Sequence, residues 1–599
     1  MIAVAESAMK GAGAVKNGVG LALPYHEIWV EDFEFISREG ELPAPICVVA
    51  HEVISGRTIR LWRDQFQSSP PYRSDADVLI VTYYGSAEVG CRLALGWPVP
   101  ERMLDLFTEF RNLTNGKSAK PKSGLLDAMA WFRLASMSVG DKDLMRDLIL
   151  SNQTIDHNRD RILDYCEQDV LATAALLKVM MPTLDVARAL LRGRYMASVA
   201  RMERCGVPID KPLLGRLETR RHALQDQLIA DVDQAFGVYE GRSFKRKRFE
   251  DYLRREGIVW PRTEKGQLSL SKGTFKDMAQ LHPKLEPLRQ LRKTLATLTK
   301  NKLAVGADGR NRTMLSPFRS KTGRNQPSNS KFIFGQPAWM RSLIKPEKDR
   351  AVAYIDWSQQ EFGIAAALSG DEAMTEAYRS GDPYLSFAIQ ADAAPPEATK
   401  ASHKDIRDQF KALVLAVQYQ MTAEGLARRL GCSVFKAETL LRLHRRTFST
   451  FWAWSDRIEN IALVTRSIRT MFGWRLDVGS DVNLRTIRNF PMQATGAEML
   501  RLACCMATEE GINVVAPVHD AVMIEDAAAS IDSTVKRMQA IMAEASRIVL
   551  GGFELSSDAK VVRWPNRYVD EKGGEMFQRV MRLLTELEAR RLEHESVAA

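Results

Sequence analysis

Segments that read as β-strand are confined to two stretches of this chain, and the long helical tracts around them limit the folds open to it. The first stretch, residues 25–110, holds "EIWVEDFEFIS", "APICVVAHEV" and "DVLIVTYYG", β-branched and aromatic runs of strand length. With the helical pattern "RDRILDYCEQDVLATAALLKVMM" that follows, they describe an α/β domain ending near residue 185. The second stretch pairs "AVAYID" with a distant "NVVAPVHDAVMIE", and helices dominate residues 371–475 between them. Strand groups flanking a helical block imply one sheet carrying a large insertion.

At 599 residues the chain exceeds the roughly 250–300 that one hydrophobic core supports, so several domains are expected. Residues 1–24 read as a loose extension. Residues 186–310 are helical and polar ("ARALLRGRYMASVARMERCGV", "KLEPLRQLRKTLATLTKNKL"), and the Gly/Ser/Asn-rich "SKTGRNQPSNS" leads into the second mixed region, divided here into 311–370, 371–475 and 476–599. The closing "GEMFQRVMRLLTELEARRLEHES" is an amphipathic helix. No run approaches the roughly 20 apolar residues that cross a bilayer, and the N-terminus lacks a basic segment followed by a compact apolar one, so neither a membrane role nor secretion is expected. The seven cysteines are odd in number and contain no Cys-x-x-Cys pair, which points to a reducing cytoplasm and no structural metal.

Lys and Arg total 84 against 74 acidic residues, a formal charge of +10 that suits a polyanionic partner. Placement says more than the total. "GRSFKRKRFEDYLRREG" sets Lys245, Arg246 and Lys247 around Phe244, Phe249 and Tyr252 at helical spacing, as a helix tracking a phosphate backbone would.

Two carboxylates stand where chemistry is often found. Asp356 ends the apolar strand "AVAYID", with Glu361 at the start of a following helix, and Asp520 sits at the centre of "VVAPVHDAVMIE", where β-rich runs flank His-Asp as a hairpin would. Together they would share a pair of Mg²⁺ ions, about 3.5–4 Å apart, that activate an attacking oxygen and stabilise a leaving one. Hard carboxylate oxygens and substrate phosphates are the usual ligands of that ion. Between them, "RDQFKALVLAVQYQ" repeats Arg407, Lys411, Leu415 and Tyr419 every four residues, so one helix face offers two cations, an apolar contact and a ring. Such cations would neutralise charge developing on a triphosphate, and the ring would pack on a base or sugar.

"YIDWSQQEFGIAAALSGD", "RDQFKALVLAVQYQMTAEGLA" and "VVAPVHDAVMIE" resemble motifs A, B and C of the family A, polymerase I-like DNA polymerases, in order and spacing. "MASVARMERCGVPID", "SKTGR" and "RTIRNFPMQATGAEML" extend the resemblance over nearly the whole chain. It implies an α+β multidomain fold: an N-terminal RNase H-like domain (25–185), then a right hand with thumb (186–310), palm (311–370 and 476–599) and fingers (371–475). By the same resemblance Asp356 and Asp520 bind two Mg²⁺, with Mn²⁺ as a substitute. Arg407 and Lys411 bind the dNTP triphosphate, Tyr419 lines the nascent pair, and Glu361 excludes a 2′-hydroxyl. Arg324, Arg485, Asn489 and Gln493 contact primer-template DNA, with His519 beside the primer end. The chain departs from the family at Leu415, where an aromatic residue is usual, at Ala521, where an acid commonly follows His-Asp, and at Tyr384, a usual His position.

Near the N-terminus "EDFEF" places Asp32 and Glu34 on one face of a strand, and "YCEQDVLA" places Tyr165 and Asp169 one helical turn apart. These resemble the Asp-x-Glu and Tyr-x-x-x-Asp motifs of DnaQ-like 3′-to-5′ exonucleases, with two metals held by Asp32, Glu34, Glu88 and Asp169 and the nucleophile oriented by Tyr165. In the middle motif Tyr84 replaces an expected Asn, and Asp105 matches a further acidic position. The whole is read as a DNA polymerase of phage type, in replication or repair, with proofreading. A monomer in a bacterial or phage-infected cytoplasm is expected, and a processivity partner is not readable. The other readings weighed are a single-subunit RNA polymerase, a nuclease whose C-terminal part only binds nucleic acid, and a non-catalytic DNA-binding protein. Paired metal-binding acids beside Arg407 and Lys411 count against the last two.

Overall fold

The computed structural model describes residues 23–117, 121–135, 144–149, 155–300, 302–418, 421–480 and 482–598, and the first strand-rich stretch folds within them as a five-stranded sheet. Strand β1 (Glu27–Ile36) lies at its centre, β2 (Ala44–Glu52) and β3 (Thr58–Trp62) extend it antiparallel on one side, and β4 (Val78–Thr82) and β5 (Met103–Asp105) extend it parallel on the other. Parallel neighbours need a crossover, supplied between β4 and β5 by helix α1 (Gly85–Leu95). After β5 come α2 (Leu106–Thr114) and the long α3 (Arg159–Met180).

Alternation along β1 sorts its side chains. Ile28 and Val30 join a core with Ile162, Cys166 and Val170 of α3, while Trp29 and Phe33 face away from that core. Asp32 and Glu34 continue the α3-facing row, and the β1–β2 register shifts at Glu34/Phe35, the kind of irregularity that re-aims a side chain.

By their contacts the residues form two units. One comprises the described residues up to Cys205 with Leu315–Gln326 and Val352–Val561; the other comprises Gly206–Met314, Pro327–Ala351 and the described residues from Val562 onward. Helix α4 (Val186–Cys205), expected to open the thumb, thus lies in the first unit. The reason is local: Arg192 is ion-paired to Glu109 of α2 at 2.6 Å with both side chains buried, and Gly193 lets the helix run against the backbone of β5.

The rest of the first unit is built on a four-stranded sheet. Strand β6 (Arg350–Trp357) is flanked on one side by the hairpin of β7 (Asn513–Val518) and β8 (Ala521–Ala527), with β8 adjacent, and on the other by β9 (Ser557–Arg563). Helices dominate the stretch between β6 and β7, beginning with α5 (Gln360–Ser369) and including α6 (Lys404–Gln418) and α7 (Leu484–Glu509), with one short antiparallel pair, Ser467–Arg469 and Arg475–Asp477, among them. One sheet with a helical insertion is the arrangement the strand spacing predicts.

The second unit is mainly helical. The run from Arg242 forms the helix Arg246–Arg255, but its aromatic side chains are not offered to a ligand: Phe249 and Tyr252 are buried and pack with Phe236, Trp260 and Phe275. The cations lie outside that core, Lys245 pairing with Glu240 at 3.2 Å and Arg246 bonding Gln267. The C-terminal helix Gly574–Ala598, expected with the palm, belongs here, tied by Arg216 to Glu588 at 2.6 Å and by Arg579 to Asp231 at 3.1 Å. No helix among the described residues is long and apolar enough to cross a membrane.

Candidate active site

Asp356 is the penultimate residue of β6, and Asp520 lies in the two-residue turn between β7 and β8. The turn is tight because His519 adopts φ 57°, a left-handed conformation that His tolerates better than most residues. The Trp357 N–H donates to the Asp520 carbonyl at 3.3 Å, fixing the turn beside the end of β6.

Burial and the charges of Asp520 and Asp558 push the Asp356 carboxyl up to about 7. Asp520 is also raised by burial, offset by a backbone hydrogen bond within its own turn and by the charge of Arg324. Asp356 Oδ1 is buried and accepts no hydrogen bond. A desolvated, mutually repelling pair of carboxylates with an orphaned oxygen fits a divalent cation, which would supply the missing partner and cancel the repulsion.

Charges extend from this pair in a line. Arg324, facing Asp520, lies 3.5 Å from Glu361 in the first turn of α5. The Glu361 charge reaches the phenol of Tyr384, whose ring lies 5.6 Å from the Arg407 guanidinium and 5.7 Å from the Lys411 ammonium of α6. Arg407 is anchored by Asp382 and half-buried, while Lys411 is exposed. Leu415 follows half-buried on the same face, and Tyr419 lies outside the described residues. Arg485, Asn489 and Gln493 recur every four residues along α7, Arg485 exposed and the other two half-buried. Asn489 Oδ1 and Arg324 Nε are buried polar atoms without partners, as expected of groups that await a ligand.

The sequence reading missed Asp558 on β9, which accepts a 2.6 Å hydrogen bond from the Ser358 hydroxyl, and Tyr378, whose phenol donates to the Ser358 carbonyl and accepts from the Ser556 N–H. Neither carries a local signal: Asp558 is recruited by strand pairing, and Tyr378 reaches the sheet from the helix Glu372–Arg379.

In the N-terminal sheet, burial and the charges of Asp169, Glu34 and Asp32 raise the Tyr165 phenol, so these four groups face one another. Cys166, not anticipated, brings its sulfur into a cluster with carboxylate oxygens of Asp32 and Glu34 within 4.8 Å. Glu88 is buried, its Oε2 accepting the Phe33 N–H at 2.8 Å, and burial with the Asp32 and Glu31 charges pushes its carboxyl well up. Asp105 has a scaffolding role: it accepts from the N–H groups of Tyr84, Gly85 and Thr108, capping α2 and holding the loop where Tyr84 sits at φ 87°. The expected Asn would take that conformation more readily than Tyr.

Comparison with known proteins gives a consistent picture. The family model described as DNA polymerase family A matches residues 215–561. The chain is 26% identical over 356 residues to the thermostable DNA polymerase I of Thermus filiformis, covering 55% of this chain and 42% of that protein. It is 24% identical over 396 residues to DNA polymerase I of Aquifex aeolicus (strain VF5), covering 63% and 66%. The match thus spans less than half of the Thermus relative. Among solved structures, the POL domain of Pol1 from M. smegmatis, in complex with DNA primer-template and dNTP, is similar with a TM-score of 0.71 at 17% identity, over 91% of this chain and 96% of that one. The likeness shows a shared mixed α/β fold.

Proposed function

The chain belongs to DNA polymerase family A, and from that membership we propose that it is a template-directed DNA polymerase adding dNTPs to a primer 3′ end. The observation that carries the reading is the placement of Asp356 and Asp520 side by side at one end of the two inner strands of the sheet, at the head of a series of charges that runs through Arg324 and Glu361 to Tyr384, Arg407 and Lys411. Pure nucleic-acid binding needs the cations but not the two desolvated acids.

In this reading Asp356 and Asp520 hold two divalent cations, Mg²⁺ with Mn²⁺ as a substitute. When bound, such ions lower the pKa of the 3′-hydroxyl and stabilise charge on the α-phosphate and the departing pyrophosphate. Arg407 and Lys411 bind the triphosphate, Lys411 directly from its exposed position and Arg407 after sharing Asp382. Glu361 closes the space beside the sugar and disfavours a ribonucleotide, which sets the reading apart from an RNA polymerase. Arg324, Arg485, Asn489, Gln493 and His519 contact primer-template, and Lys245, Arg246 and Lys247 contribute phosphate contacts from the second unit. The palm is the four-stranded sheet, the fingers are the helical insertion, and the thumb lies in the second unit.

The N-terminal domain is proposed to excise mispaired 3′ ends, with Asp32, Glu34, Glu88 and Asp169 as the acids around the metals and Tyr165 orienting the attacking water; one oxygen of Glu88 already accepts the Phe33 N–H. Replication or repair by a monomer in the cytoplasm fits this pair of activities.

Primer extension tests the first activity. Asp520→Asn removes it while primer-template affinity stays near that of the parent; equal extension by parent and variant defeats the assignment. Release of a mispaired 3′ nucleotide tests the second, and undiminished excision by Asp32→Ala defeats it.

A further inference from the structure

We infer that Asp558 is a third carboxylate of the polymerase site, standing in for the acid that is absent at Ala521. The inference rests on the polymerase reading and deepens it by naming a further residue that holds its metal ions.

The geometry is a matter of register. Strands β6 and β9 are neighbours in the sheet. The Ser358 N–H donates to the Ser556 carbonyl at 2.9 Å, and the Trp564 N–H donates to the Arg350 carbonyl at 3.1 Å. The two bonds belong to one antiparallel register, in which Asp356 lies directly across from Asp558. Side chains so opposed leave the same face of the sheet with Cβ atoms roughly 4.5–5.5 Å apart, and like charges at such a pair destabilise it.

The surroundings hold this repulsive arrangement in place rather than relieving it. The Ser358 hydroxyl donates to Asp558 Oδ2 at 2.6 Å, and the Tyr378 phenol bridges the Ser358 carbonyl at 3.1 Å and the Ser556 N–H at 3.2 Å, locking the register at the end that carries both acids. Among the described residues no Lys or Arg pairs with Asp558, and the Ser358 hydroxyl is the side chain that meets it. On the other flank of β6, strand β8 opens with Ala521, a fully buried methyl that offers no ligand. Two divalent cations beside Asp356 and Asp520 alone would leave net positive charge, which a third carboxylate on the open flank reduces. A cation between Asp356 and Asp558 would also turn their repulsion into coordination, and it would reach the buried, unpartnered Asp356 Oδ1.

The test is Mn²⁺ binding by isothermal titration to the full chain carrying Asp32→Ala and Glu34→Ala, so that the N-terminal acids do not contribute, with and without Asp558→Asn. The expected result is a ~10–100-fold loss of Mn²⁺ affinity on Asp558→Asn. The metal-free protein should melt higher, because a like-charge pair is gone, while its gain in melting temperature on adding Mn²⁺ shrinks. Ser358→Ala, which frees Asp558 to move, should give a smaller loss of the same kind. Unchanged Mn²⁺ affinity, or a metal-free protein that melts lower, overturns the inference. Primer extension by the parent chain separates the two levels. A parent that extends while Asp558→Asn binds Mn²⁺ normally overturns only the role of Asp558. A parent that extends nothing overturns the polymerase reading, and the titration still decides whether Asp558 holds metal.

Discussion

Glu31 and Arg92 form a doubly hydrogen-bonded ion pair, at 2.8 and 2.5 Å, with neither side chain reaching solvent. The pair sits directly behind Asp32, and Tyr72 completes it with a 2.7 Å hydrogen bond to Glu31. Removing one member leaves a buried charge alone, which costs about 3–5 kcal/mol. Arg92→Ala should therefore lower the melting temperature sharply, whereas Glu31→Leu with Arg92→Met should recover most of the loss, as followed by thermal denaturation.

Gly193 has a steric role that any side chain would break. A Cβ at this position would stand 2.0 Å from the Met103 carbonyl oxygen, closer than atoms can approach, and a backbone oxygen in a sheet cannot swing aside as a side chain could. Gly193→Ala should destabilise by roughly 1–3 kcal/mol or more by forcing α4 away from β5, despite the better helix propensity of Ala. Chemical denaturation of parent and variant measures it.

Lys411 and Arg407 should separate by phenotype. Lys411 is exposed over Tyr384, so Lys411→Ala removes the proposed phosphate contact without disturbing the fold and should lower kcat/KM for dNTP by about 10²-fold or more, with unchanged melting. Arg407 also holds Asp382, which accepts from the Leu385 N–H at the start of the next helix, so Arg407→Ala should lose stability as well as activity. Steady-state kinetics beside thermal melts distinguish the two.

Much of the proposed site rests on features that are local in the chain. A carboxylate ending an apolar run, His-Asp between two β-rich runs and a four-residue repeat of cations each depend on neighbours in sequence. What escaped depends on pairing between distant segments. Asp558 stands in "LSSDAKVV", an unremarkable run until its strand docks against β6, far away in sequence. Cys166 reads as a core residue until α3 lies over β1. The basic run from Arg242 divides by residue type: Phe249 and Tyr252, interleaved with its cations in sequence, are buried by tertiary packing, which helical spacing alone does not reveal. The placement of α4 followed from a buried ion pair and one glycine, neither of which has a signature in helix periodicity.

His444 gives the helical insertion between β6 and β7 a pH dependence of defined sign. The ring is fully buried against Phe387, Phe448 and Phe451, and its Nδ1 accepts from the Trp452 indole at 3.1 Å, so burial lowers its pKa to about 3. The unfolded chain binds a proton below about pH 6.5 that the folded chain refuses until near 3. Its contribution to stability is thus complete above 6.5 and is lost as pH falls, by about 1.4 kcal/mol per unit once the unfolded imidazole is fully charged. Between pH 6.5 and 4.5 that amounts to roughly 2–3 kcal/mol. Gln at this position keeps an acceptor for Trp452 and cannot be charged, so His444→Gln should lose less stability than the parent when melts at pH 7 and pH 4.5 are compared. An equal drop in both proteins would mean that other groups, not His444, account for the acid sensitivity.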